Sequence, residues 1–205
     1  MEHIVYVVDD DDAVRQSVIG LLESADLNAI GFSSAEAFLQ HRFEELPSCV
    51  VLDMQMPAIS GFDVADALKD SGRDIPIIFL TGHGTIPMSV RAIKGGAYEF
   101  LTKPVESTAR IDAIQSALQL AENNAVRNKE HYALKQRHMS LTPREHEVLT
   151  LAISGMLNKQ IAAELGVSEI TVKVHRRRVM EKMQVRSVAE LVRAVERLTH
   201  SQPSD

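Results

Sequence analysis

Four aspartates in succession, Asp9, Asp10, Asp11 and Asp12, follow directly on the apolar run Ile4, Val5, Tyr6, Val7 and Val8. Carboxylates packed this closely repel one another by roughly a few kcal/mol unless water or a cation intervenes, and a hard ion with oxygen ligands such as Mg2+ is the usual remedy. A solvated acidic turn ahead of a helix is the plainer reading of the same four residues. A second apolar run, Cys49 to Leu52, ends in Asp53 and leads through Met54, Gln55, Met56 and Pro57 to Ser60 and Gly61. Two more runs end on polar groups: Ile75 to Leu80 on Thr81 and Gly82, and Ala97 to Thr102 on Lys103 and Pro104. Carboxylates, a hydroxyl and an ammonium group are each delivered at the end of an apolar strand.

Helical patterns separate these runs, over Ala13 to Ala25, Ser34 to Phe43, Gly61 to Lys69, Thr85 to Lys94 and Glu106 to Ala121, with apolar residues three and four apart. Ser33 and Glu36 are spaced for a capping box at the start of the second helix. Strand and helix alternating five times predict an α/β domain, a five-stranded parallel sheet doubly wound with helices on both faces. Right-handed crossovers, and the tendency of ligands to sit at the carboxyl ends of such strands, gather Asp9, Asp10, Asp53, Thr81 and Lys103 in one crevice.

The motifs V-V-D-D, L-D-M-Q-M-P, L-T-G-H-G and T-K-P, in that order and at that spacing, resemble the receiver domain of two-component response regulators, which has a CheY/flavodoxin-like fold. The resemblance implies that Asp53 accepts a phosphoryl group from a sensor histidine kinase. It also implies that Asp10, Asp53 and the backbone carbonyl of Gln55 bind Mg2+, with Asp9 helping through water, while Lys103 and Thr81 contact the phosphoryl oxygens. Thr81 and Phe100 would form a switch pair that reshapes the face of the fourth helix, fifth strand and fifth helix; the plainer reading of Phe100 is core. The chemistry agrees: phosphoryl transfer wants an in-line oxygen nucleophile, a metal clamp and fixed donors for the equatorial oxygens. Gly82 leaves room for the incoming group, and the Lys103-Pro104 bond is expected to be cis. The chain departs from the receiver pattern at Thr85, where many relatives carry an acid, and at Val105, where an aromatic often follows Lys-Pro.

Beyond Ala121 the character of the chain changes. Residues 1–121 hold 8 Lys+Arg against 18 Asp+Glu, whereas 122–205 hold 14 against 10, so the overall charge of −6 conceals a basic second half suited to a polyanion. The stretch 122–139, without Gly or Pro, reads as an exposed helical linker, a disordered polar tether being the alternative. An all-α domain over 140–205 then begins with Thr142 as N-cap, Pro143 at the first helical position and Glu145 completing a capping box. Gly155 ends that helix, a short one runs from Asn158 to Leu165 before Gly166, and Ser168 caps a longer one reaching about Gln184. Two helices joined by a tight glycine-containing turn make a helix-turn-helix, and Ser187 with Glu190 is spaced for another capping box. On a helical wheel Val172, Val179 and Met183 form a core face, with Lys173, Val174, Arg177 and Arg178 opposite. Outward cations flanking a valine suit a DNA major groove, though an isolated basic triplet is often a solvated face.

The segments L-T-P-R-E-x-E-V-L, G-x-x-N-K-Q-I-A-x-E-L and S-x-x-T-V-K-V-H resemble the LuxR-type helix-turn-helix, and with the receiver the chain is similar to FixJ/NarL-type response regulators. The resemblance implies base contacts from Lys173, Val174 and Arg177 and backbone phosphate contacts from Asn158, Lys159 and Thr171. Arg176, nearer the core side, could reach phosphate by snorkelling, and His175 is read as a packing or phosphate-contacting residue. Implied partners are a sensor histidine kinase, double-stranded DNA, RNA polymerase, and a second copy of the chain on phosphorylation.

One cysteine, Cys49 in an apolar strand, excludes an internal disulfide and suggests a reducing compartment. No apolar run approaches the roughly 18 residues of a membrane span, and no basic-then-apolar start suggests export. The expected location is therefore the cytoplasm. Two other classes use some of the same residues. An aspartate-nucleophile phosphatase wants a second carboxylate two residues on as general acid, where this chain has Gln55. A non-phosphorylated protein adaptor predicts neither Mg2+-dependent labelling nor operator binding.

Overall fold

The computed structural model describes residues 2–200, which fall into two compact units, Met1–Val126 and Arg127–Asp205. The last residues of the expected 140–205 domain, 201–205, lie outside the described residues. Among the described residues no helix is long and apolar enough to cross a membrane.

In the first unit β1 (Ile4–Val8), α1 (Asp12–Ser24), β2 (Ala29–Phe32), α2 (Ala35–Leu39), β3 (Ser48–Leu52), α3 (Gly61–Asp70), β4 (Ile77–Thr81), α4 (Ile86–Lys94) and β5 (Glu99–Thr102) alternate before the long α5 (Ser107–Met139). The sheet is parallel throughout, in the order β2-β1-β3-β4-β5. The three inner strands are buried at every residue, which is why they read as unbroken apolar runs instead of alternating ones. Tyr6, Val8, Val50, Leu52 and Phe79 face one core with Phe38, Val64 and Leu68, while Val5, Val7, Val51, Ile78 and Leu80 face another with Val18, Leu22, Ile114 and Leu118. Each such side chain contributes about 1.5–3 kcal/mol on burial. The edge strand β2, half-buried with Gly31 in the middle, has too little apolar pattern to stand out in the sequence.

The second helix corrects one sequence expectation. Its N-cap is Ser34, whose hydroxyl accepts from the Ala37 N–H at 3.2 Å, so the expected Ser33–Glu36 capping box does not form. Ser34 is extended, at φ −152° and ψ 156°, which sets its oxygen over the amides of the first turn. Thr85 caps α4 instead, accepting from the Met88 N–H. Along α5, Ile114, Ala117, Leu118, Ala121 and Asn124 are buried on one face, and Asn124 donates to the Asp74 carboxylate at 2.7 Å.

In the second unit α6 (Pro143–Ile153), α7 (Asn158–Leu165), α8 (Glu169–Met183) and α9 (Val188–His200) surround two small cores. Leu134, Leu141, Leu149, Val179, Met183 and Leu191 form one; Val148, Ala152, Ile161 and Val172 form the other. The Thr142–Glu145 capping box is present, and the buried Glu145 carboxylate also accepts from Lys182 of α8 at 2.7 Å. Gly166, left-handed at φ 64°, makes the tight turn between α7 and α8. At the start of α9 the Ser187 hydroxyl accepts from the Glu190 N–H, but the Glu190 carboxylate takes the Arg186 N–H at 2.8 Å. The expected reciprocal box is therefore displaced by one residue, because the longer carboxylate arm reaches the preceding amide.

Candidate functional site

Strand register sets the first site. Val8, Leu52, Phe79 and Phe100 lie in one row across the sheet, so the residues that follow them emerge at a common carboxyl edge. The order places β1 and β3 side by side where the winding reverses direction, the position at which open α/β sheets bind ligands. Asp9 and Asp53 occupy that position, only 4% and 7% exposed.

Lys103 joins them. Its Nζ donates to Asp9 Oδ2 at 2.8 Å and to Asp53 Oδ1 at 3.0 Å. The opposite oxygens accept backbone N–H groups, Asp9 Oδ1 from Asp11 at 2.9 Å and Asp53 Oδ2 from Gln55 at 2.7 Å. Burial raises the Asp9 carboxyl above its usual range, and the hydrogen bond and charge of Lys103 offset this only in part. Burial acts to lower the Lys103 ammonium, but its hydrogen bonds to Asp9 and Asp53, with their charges, outweigh it and hold the group above the ordinary lysine range.

The loops are fixed by their own backbone. The Asp53 N–H donates to Val8 O at 2.8 Å and the Gly61 N–H to Met54 O at 3.1 Å. Between them Ala58 takes a left-handed conformation at φ 67°. Arg15, on α1, donates from Nη1 to the Asp9 carbonyl at 2.7 Å and pairs through Nη2 with Asp12. The role of Arg15 is not legible in the sequence, where a single arginine on a helix carries no signal of a contact with the loop before it. The Lys103-Pro104 bond is cis, as expected.

Thr81 is buried at the end of β4, its hydroxyl oxygen accepting from the His83 N–H at 3.3 Å, and its carbonyl takes the Lys103 N–H at 2.7 Å. Phe100 is half-buried, with its ring 6.4 Å from that of Phe79. It also closes over the Gly84 backbone, where a Cβ would collide with Phe100 and Thr102. A Cβ at Gly82, by contrast, would meet open space. Asp10, next in sequence to Asp9, is exposed. Among the described residues no three His, Cys, Asp or Glu side chains converge on one point. That arrangement is compatible with Mg2+, which commonly takes one or two carboxylates and keeps several waters, and the donors gathered here are the hard oxygens it prefers.

The second site is the outer face of α8. Val172, Val179 and Met183 are buried, and Lys173, Val174, Arg177 and Arg178 are exposed, as the wheel predicts. The cations are not idle: Lys173 Nζ lies 3.6 Å from Glu169 and Arg177 Nε 2.7 Å from Glu181, both one turn away. The i,i+4 spacing of both pairs is legible in the sequence. Arg176 donates to Asn158 Oδ1 at 2.7 Å, tying the two helices of the helix-turn-helix to each other. Thr171 shares the N-cap, its hydroxyl 2.8 Å from that of Ser168. Lys159 is exposed at the start of α7, and His175 is half-buried.

Comparison with known proteins bears on both sites. Residues 5–115 match the family described as response regulator receiver domain, and residues 139–195 match bacterial regulatory proteins, luxR family. The chain is 47% identical over 201 residues to the response regulator protein TodT of Pseudomonas putida, spanning 97% of this chain and 87% of that protein. It is 40% identical over 193 residues to the transcriptional regulatory protein FixJ of Bradyrhizobium diazoefficiens, spanning 92% of each. Among solved structures it is similar to the response regulator StyR, with 48% identity and a TM-score of 0.85 over 96% of this chain and 99% of that one.

Proposed function

The chain belongs to the two-component response regulators that join a receiver domain to a LuxR-type DNA-binding domain, and we propose that Asp53 is its phosphorylation site and α8 its DNA-reading helix. A regulator of this family takes a phosphoryl group from a sensor kinase and regulates transcription through its DNA-binding domain. The observation that carries the assignment of Asp53 is its carboxylate, buried at the sheet's reversal point and held 3.0 Å from Lys103.

In this reading one oxygen of Asp53 attacks the phosphorus of a phosphohistidine or a small acyl phosphate. The bond from phosphorus to the donor's nitrogen or oxygen breaks, and the leaving group departs with the electron pair. The Lys103 ammonium, already on Asp53, moves onto an equatorial oxygen, and the Thr81 hydroxyl donates to another. Asp9, Asp10, Asp53 and the Gln55 carbonyl are the groups that would hold Mg2+, which neutralises charge on the phosphoryl oxygens when bound. With Gln55 where a phosphatase carries its acid, the chain acts on itself and turns over no outside substrate.

Phosphorylation then promotes pairing of two copies. Ile86, Val90 and Ile93 stand exposed at helical spacing on α4, the apolar stripe that supports a pairing face there. The paired molecule binds operator DNA in the cytoplasm through Lys173, Val174 and Arg177 at bases, with Lys159 and Arg176 at phosphates, and acts on RNA polymerase. Asn158 and Thr171 face the same backbone. Residues 1–121 are the receiver, 122–139 the helical linker and 140–205 the DNA-binding domain, a division supported by family matches falling at either end.

The test is Asp53→Asn. The variant is expected to lose all Mg2+-dependent labelling by acetyl phosphate and the accompanying gain in DNA affinity, measured on a phosphate-affinity gel and by fluorescence anisotropy. Enhancement that persisted in the variant would overturn the assignment.

A further inference from the structure

Ile170 is the second residue of α8 and is 74% exposed, well above the 45% of Val174. It adds nothing to the fold, because the core side of α8 is carried by Val172, Val179 and Met183. At about 100° per residue, Ile170 lies about 160° from Val172 and about 180° from Val179, opposite the core. The same outer sector holds Lys173, Val174 and Arg177, so two branched apolar side chains stand one turn apart among the cations.

The first turn of a recognition helix is the part that meets base edges in the major groove, where the thymine methyl is the one apolar group on offer. We propose that Ile170 reads a thymine by packing on its 5-methyl group, a contact separate from that assigned to Val174. This rests on the reading of α8 as the DNA-reading helix. Lys173 and Arg177 supply charge and hydrogen bonds, and Ile170 supplies a contact that discriminates T from C at one further position of each half-site.

The test uses the full chain, phosphorylated. A binding site is first selected from random duplexes, and each thymine in it is then replaced in turn by deoxyuridine, which removes only the methyl group. The wild type is expected to lose about three- to tenfold in affinity at two thymines of each half-site. Ile170→Ala should become indifferent to one of those replacements and keep its sensitivity to the other, while Val174→Ala shows the reverse pattern. Because Ile170 is exposed, both thermal unfolding and secondary structure of the variant should match the wild type. If Ile170→Ala retains the wild-type sensitivity at every thymine, the inference is wrong while the DNA-binding reading stands. If the wild type selects no sequence at all, that reading fails and the inference with it.

Discussion

A methyl group added at Gly61 would lie 2.6 Å from the carbonyl oxygen of Asp53, 3.0 Å from the Met54 Cα and 3.1 Å from the Phe79 ring. Two of those neighbours are backbone, so the strain is taken up by the loop that follows Asp53. Gly61→Ala is expected to cost about 1–3 kcal/mol in urea unfolding of the receiver and to slow phosphorylation by acetyl phosphate as well. Gly82→Ala separates the two effects. No protein atom lies within 4 Å of a Cβ there, so its stability should match the wild type while phosphorylation slows, because only an incoming group competes for that space. Equal stability and equal rate in Gly82→Ala would remove the role given to Gly82. At this scale the sequence disclosed the charged groups, since Asp9, Asp53 and Lys103 each terminate an apolar run. It did not disclose what holds them. The reach of Arg15 to the Asp9 carbonyl and the close approach of Gly61 to Asp53 depend on how a turn closes in three dimensions. That Ser34 and not Ser33 caps α2 depends on where the helix starts, which the spacing of Ser33 and Glu36 does not contain.

Among the elements, α8 is placed by polar ties as well as by its core face. Lys182, in its last turn, donates to Glu145 at 2.7 Å and to the Ser140 carbonyl at 2.9 Å, while Glu145 also accepts the Thr142 N–H at 2.9 Å. Burial acts to raise the Glu145 carboxyl, but the hydrogen bonds from Lys182 and Thr142 and the lysine charge outweigh it and hold the group below the usual range. Its contribution to stability is therefore complete above the ordinary glutamate range, about pH 4.3, and is lost as pH falls through that range toward the lower folded value. Urea unfolding followed at α6 and α8 amide resonances should show stability falling with acid in the wild type, and a shallower fall in Glu145→Gln. Glu145→Ala should cost about 2–3 kcal/mol at neutral pH, below the usual range for a buried pair because Lys182 is about a third exposed. An unchanged pH dependence in Glu145→Gln would show that the tie contributes nothing. The strongly patterned elements, α6 with its Thr-Pro-x-Glu start and the three inner strands, were legible from the chain alone. The second strand entered the expected five only through the strand-helix alternation, with no run to mark it, because a half-buried edge with a central glycine shows neither a continuous nor an alternating apolar pattern. The single helix Ser107–Met139 is polar over much of its length, so its continuity follows from the absence of breakers more than from any periodicity.

Over the whole molecule charge is divided unequally, with net −10 over residues 1–121 and net +4 over 122–205. Only the second part is attractive to DNA, and at physiological salt charges more than about 8 Å from a phosphate are largely screened. Affinity should therefore be set by the few cations that reach phosphates, and each of these displaces a condensed counterion. The dependence of log K on log salt consequently counts contacts, at about 0.9 per phosphate neutralised. If phosphorylation brings two copies onto one operator, the slope for phosphorylated wild type should be about twice that of Asp53→Asn. Lys159, exposed at the start of α7, is the proposed phosphate contact simplest to remove without disturbing a helix-helix tie, unlike Arg176, which holds Asn158. Lys159→Ala should lower the slope by about 1 for each bound copy, hence by about 2 in the phosphorylated form, and leave the selected sequence unchanged. Anisotropy titrations across a salt series would measure both quantities together. A slope that phosphorylation does not alter would mean that the same number of copies binds in both states, and pairing would no longer account for the gain in affinity.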